Sequence, residues 1–173
     1  MRRLAYAGLM VAAGITGAYA ESIPNFELIT LVGFASGVLL GMRDGAGVAA
    51  LTMLVYSLLN PYGAAHPLVT GSQVLSEALV GATGGALAFL SRKPAAVRAV
   101  ALGLAGATLT AVYDLLTNLA TGLVFGQMRA VLLGGIPFAL WHIATNVGLF
   151  TIVGTALVGV LARYRERLSS SSP

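Results

Sequence analysis

A chain of 173 residues with 57% hydrophobic and 9% charged side chains and a mean hydropathy of +0.87 has the composition of an integral membrane protein, not of a soluble domain with a large core. The absence of cysteine excludes disulfides, thiolate metal sites and cysteine nucleophiles. A net charge of +4 with a pI near 9.9 fits nucleic acid in principle, but the basic residues stand at the ends of apolar runs, as membrane topology requires, and no nucleic-acid partner is expected.

By length the chain is one domain. The expectation is an all-α polytopic membrane domain over residues 1–168, followed by a short polar tail, 169–173. Apolar runs between breakers mark six spans, 4–20, 28–42, 45–59, 68–90, 99–123 and 137–162. The first follows Met1-Arg2-Arg3 and ends in Ala18-Tyr19-Ala20, a pattern that imitates a secretory signal peptide. Cleavage would leave five spans with the same orientation; the reading adopted is a retained helix. This helix carries Gly8-xxx-Ala12 and, on an adjacent face, Ala13-xxx-Gly17, which permit close crossing within the bundle or against another subunit.

The second and third runs are short for spans of about 20 residues. The loops Pro24–Glu27 and Asn60–Pro67 contain prolines that stiffen them and polar groups, Asn25, Glu27, Asn60, Tyr62 and His66. Within the fourth, fifth and sixth runs lie three polar pairs spaced four apart, Gln73 and Glu77, Asp114 and Asn118, His142 and Asn146. That spacing places both members of a pair on one helix face. Ionisable groups at bilayer depth are costly and usually functional. With alternating helix direction, each pair falls five and nine residues from the same membrane face, roughly 7–14 Å deep at 1.5 Å per residue. The three faces are expected to converge on one solute site, with Tyr113 or Trp141 against the ligand. Thr110, Thr117 and Thr121 accompany Asp114, although threonine often bonds its own preceding carbonyl. The stretch 129–135 ends in Gly134-Gly135-Ile136-Pro137 and reads as an interfacial segment leading into the last span.

Basic residues set the orientation. Arg2, Arg3, Arg43, Arg92, Lys93, Arg98, Arg163, Arg165 and Arg167 fall on one side of a six-span layout, and Arg129 on the other. The crowded side is cytoplasmic, so both termini are expected inside a cytoplasmic (inner) membrane. No lysine or arginine lies in the outer half of any span, which favours a neutral or cationic solute over a carboxylate or phosphate.

These residues bear a family likeness. The segment from Ile23 to Thr30, Gly37-xxx-Gly41 with Gly45 and Gly47, Asn60-Pro61-Tyr62-Gly63, the stretch from Gln73 to Gly85, and Trp141-His142-xxx-Asn146 resemble S components of energy-coupling factor (ECF) transporters. The resemblance implies a non-enzymatic, cofactor-free membrane protein that captures a vitamin or related micronutrient near the outer face. It further implies work with a transmembrane T component and two ABC-type ATPases. Members usually carry Ala-xxx-Ala on helix 1 as the coupling surface, for which Gly8-xxx-Ala12 is the nearest equivalent here. No P-loop pattern occurs in the chain, so ATP hydrolysis would belong to a partner.

Three rivals have weaker support. Phe138-xxx-His142 and His142-xxx-Asn146 look like fragments of a CAAX-type membrane protease, but no Glu-Glu pair exists to activate water, and Phe34-Ala35-Ser36-Gly37 lacks the first glycine of a rhomboid-like serine site. A structural subunit with the polar pairs as interhelical contacts, or a proton relay through Glu77, Asp114 and His142, are the others. Among vitamins, biotin-, pantothenate- and folate-like acids are disfavoured. Thiamine-, pyridoxine-, riboflavin- and cobalamin-like compounds stay open.

Overall fold

In the computed structural model, residues 2–19, 28–60 and 63–170 are described, and among them every regular element is helical. The loop residues Pro24, Asn25, Glu27, Pro61 and Tyr62 singled out above lie outside the described residues. The elements are α1 (Arg2–Tyr19), α2 (Ile29–Leu40), α3 (Met42–Leu58), α4 (Pro67–Ala86) with a 3₁₀ extension Leu87–Arg92, and α5 (Ala95–Phe125). They are followed by α6 (Met128–Leu149), a π turn Phe150–Gly154 and α7 (Thr155–Ser170). Three stretches are long and apolar enough to cross a membrane, Pro67–Arg92, Ala95–Phe125 and Met128–Leu168.

α2 is the hub. Of its 12 residues all but Val32 are buried, so it has no polar stripe and reads as apolar all round. Leu31, Phe34 and Val38 pack with Val80 of α4, Leu102 of α5, and Phe150 and Val158 beside and within α7; the rings of Phe34 and Phe150 meet edge to face at 5.1 Å. At about 18 Å, α2 is shorter than the ~30 Å hydrocarbon core. It joins α3 through Gly41 alone, whose φ of +94° is a conformation open to glycine and strained for other residues. Close approach of α2, α3 and α4 depends on a glycine seam: a Cβ at Gly37 would overlap the Gly81 carbonyl, and one at Gly81 the Gly45 carbonyl.

Helix ends follow local chemistry. Pro67 occupies the first turn of α4, where its missing N–H costs nothing, and the His66 ring nitrogen accepts from the Leu68 N–H at 3.2 Å. α5 stops at Gly126 in the left-handed conformation, φ +66°.

The last span differs from the sequence reading. Residues 129–135 are helical and continuous with the span that follows: α6 begins at Met128 and runs through Pro137. Proline inside a membrane helix is tolerated where neighbouring groups take up the freed backbone bond. Gly135 packs directly on the Asn118 side chain, its added Cβ falling 2.7 Å from Nδ2. Gly135 thus serves α5–α6 contact, and neither it nor Gly134 ends the helix. Consequently His142 stands about four turns into α6, not five residues from its start. The C-terminal helix also continues past Leu168 to Ser170, beyond the expected start of the tail.

All the arginines placed here but Arg129 collect at one end. Arg3 donates to the Leu40 carbonyl and pairs with Asp44, each at 2.6 Å; the Arg165 guanidinium lies beside Gly41; Arg92 approaches Glu166 at 3.9 Å. At the opposite end, the Tyr19 hydroxyl donates to the Leu59 carbonyl at 2.7 Å.

Candidate functional site

The last turns of α1 and α3, the first turns of α2 and α4, and the facing stretches of α5 and α6 enclose a cavity of about 280 Å³ at the end away from the arginines. Six sequence-predicted residues line it: Asn60, Gln73, Tyr113, Asp114, Asn118 and His142. At its heart Asp114 Oδ1 and His142 Nδ1 are hydrogen-bonded at 2.9 Å, each side chain 7% exposed. With Asp114 ionised, the Nδ1–H donates and leaves Nε2 as the acceptor. Tyr113 and Phe138 each set an edge against the His142 ring, centroids 6.0 and 6.4 Å away. On α3–α4, the Ser57 hydroxyl donates to Gln73 Oε1 at 3.2 Å.

The remaining predicted residues stand elsewhere. Glu77 is fully buried and accepts from the Thr30 hydroxyl at 2.9 Å. It sits where α2 crosses α4 at Gly33, and Thr30, not Glu77, reaches the cavity wall. Asn146 is one turn below His142 and 1% exposed; neither of its amide atoms has a hydrogen-bond partner among the described residues. Asp114 Oδ2 and Thr110 Oγ1 share that condition, so a band of buried, unpaired polar atoms lies at and beneath the cavity floor. Trp141 is 52% exposed and outside the lining: adjacent residues on a helix point about 100° apart, and His142 holds the inward direction. Thr117 and Thr121 donate to the carbonyls one turn back, at 2.9 and 2.8 Å, and Thr117 also borders the cavity. His66 caps α4 and does not enter the lining.

Sequence reasoning missed Thr30, Met53, Tyr56 and Phe138 in the lining. Two carried a signal: Phe138 precedes His142 by four, and Tyr56 precedes Asn60 by four, the same-face spacing used for the polar pairs.

The cavity therefore offers amides from Asn60, Gln73 and Asn118, one carboxylate, one imidazole, and ring surface from Tyr56, Tyr113 and Phe138. Among the described residues its lining includes no lysine or arginine, and no group of three or more His, Asp or Glu is placed to hold a metal ion. Such a set can hydrogen-bond and stack a small polar ring compound. Gly8 and Ala12 lie on the outer face of α1, with nothing within 4 Å of a Cβ at Gly8, whereas Gly14, Gly17 and Ala18 pack inward. Comparison of the chain with protein-family models, curated proteins and solved structures gives no match.

Proposed function

We propose that this chain is the solute-capture subunit of an ECF-type importer, a six-span protein of the cytoplasmic membrane with both termini inside. Its solute is a vitamin or related micronutrient that enters the cavity from the outer face. The observation that carries the reading is the convergence of six sequence-predicted polar residues, from the loop after α3 and from α4, α5 and α6, on one cavity remote from the arginine-rich end. Pure interhelical contacts would not need to leave space among themselves, nor to leave Asp114 Oδ2, at the cavity, buried without a partner among the described residues.

The cavity also narrows the solute. A volume near 280 Å³ lies at the small end of ligand sites, about 300–1,000 Å³, and suits a compact one- or two-ring molecule over a corrin-sized one. Amides in both donor and acceptor roles fit the edge of a nitrogen heterocycle. The single carboxylate and the lack of a lining cation favour a neutral or cationic form. Partners on this reading are a T component and two ABC-type ATPases, with the open Gly8–Ala12 face of α1 as the docking surface.

A structural or assembly subunit is the second reading. It is favoured by Glu77, whose carboxylate is committed to Thr30 across the α2–α4 crossing. Native mass spectrometry of the purified protein separates the two. Capture predicts a retained small molecule of one or two rings, lost on mild exchange and restored on adding it back. A protein that retains no small molecule from cells or from a panel of neutral and cationic vitamins, while still assembling with partner subunits, is the structural kind.

A further inference from the structure

At the end opposite the cavity a second concavity, of about 450 Å³, opens between the α4–α5 turn and α7. Its chemistry is the inverse of the cavity's. Arg92, Arg98 and Arg163 face into it with one carboxylate, Glu166. Arg92 and Glu166 are 3.9 Å apart with side chains 83% and 70% exposed, a loose contact that solvent screens heavily. Arg98 is held differently. Its guanidinium lies over Gly159, where a Cβ would come within 3.5 Å of Nη1, and Nη1 donates a long bond, 3.3 Å, to the Ser91 carbonyl. Its Nε–H is buried with no partner among the described residues.

A buried guanidinium donor without an acceptor is costly. Two more guanidiniums at the same groove make an anion with several acceptor oxygens the complementary occupant. The floor is apolar, built from Ala156, Gly159 and Val160 of α7, so charge and hydrocarbon contact are offered side by side. A basic pocket between helices at the membrane face suits an anionic lipid headgroup. We propose that this groove binds the phosphodiester headgroup of an anionic phospholipid, with an acyl chain along α7. The inference rests on the membrane setting and not on the identity or existence of a captured solute.

The test titrates delipidated, detergent-purified protein with phosphatidylglycerol and counts bound lipid by native mass spectrometry, with phosphatidylcholine and inorganic phosphate as the other arms. Phosphatidylglycerol should be retained in preference to phosphatidylcholine. The Arg92→Gln/Arg163→Gln variant, altered at two exposed positions, should bind it about tenfold more weakly or worse. Arg129→Gln, at the far end, should bind it as the parent does. Equal retention of phosphatidylcholine, unchanged binding by the double variant, or displacement of the lipid by millimolar inorganic phosphate overturns the proposal. None of these results touches the cavity, so solute capture stands or falls separately.

Discussion

Asn118 and Asn146 sit on facing helices yet stand in opposite relations to the cavity. Asn118 lines it, its amide against Gly135. Asn118→Ala should weaken solute binding by roughly 5- to 150-fold, the equivalent of about 1–3 kcal/mol for a ligand group left unpaired in a dry site. Thermal stability of the empty protein should barely change, since the substitution removes a cavity-facing group; calorimetric titration and a melting curve check both halves. Asn146 is buried outside the lining with neither amide atom bonded among the described residues. Replacing an unsatisfied buried amide by an apolar group of similar shape is neutral or favourable. Asn146→Leu should therefore hold or raise the melting temperature of the empty protein, and a drop of several degrees would show that the amide bonds where none is seen.

Much of this site was legible at the level of single residues, because i, i+4 spacing settles which side chains share a face. It does not settle which neighbour that face meets. Gln73 and Glu77 share a face of α4, but α2 crosses at Gly33 and its Thr30 hydroxyl engages Glu77, leaving Gln73 alone of the pair in the cavity. Trp141 was placed by adjacency in sequence, where helical geometry already pointed it about 100° from His142. The start of α6 was hidden for a different reason. Gly134, Gly135 and Pro137 are breakers in water, whereas a membrane helix keeps them when a partner helix packs close.

Among the elements, α1 shows two faces of small residues with different consequences. Gly14 meets Thr52 and Val32, Gly17 meets Leu28, and Ala18 packs with Ile29 and Met53 within the bundle, while Gly8 and Ala12 stay outside. Gly8→Leu or Ala12→Leu adds bulk to the open face, so solute affinity should stay within about twofold of the parent. Co-purification with a T component, or transport in cells that supply one, should fall, since close helix crossing tolerates only small side chains. Equal losses of solute binding and partner association would make this face part of the fold instead.

For the molecule as a whole the polarity of the two ends makes a topological prediction. Arginines from α1, the α2–α3 junction, the α4–α5 turn and α7 share one end, and the positive-inside rule turns that end to the cytoplasm. Ala64, exposed in the loop before α4, then faces outward. In this cysteine-free chain, Ala64→Cys should react with a membrane-impermeant maleimide on intact cells, whereas Ala96→Cys at the start of α5 should react after permeabilisation alone. The reverse pattern would invert the protein and put the cavity on the inner face.

The π turn at Phe150–Gly154 bears on where the last helix can change length. A helix closing over five residues instead of four holds one residue more than its neighbours require, and it lets the flanking α-helices keep their facing. It therefore has the form of a one-residue insertion absorbed in place. Removing a single residue between 150 and 154 should restore unbroken α-helix and leave His142 and Arg163 aimed as they are, with solute affinity and phosphatidylglycerol retention both preserved. The same deletion at Ala144 turns one half of the rod about 100° against the other, so that His142 and Arg163 cannot both keep their aim, and should cost at least one of the two. Among descendants of a common ancestor, gaps in this last helix belong at 150–154.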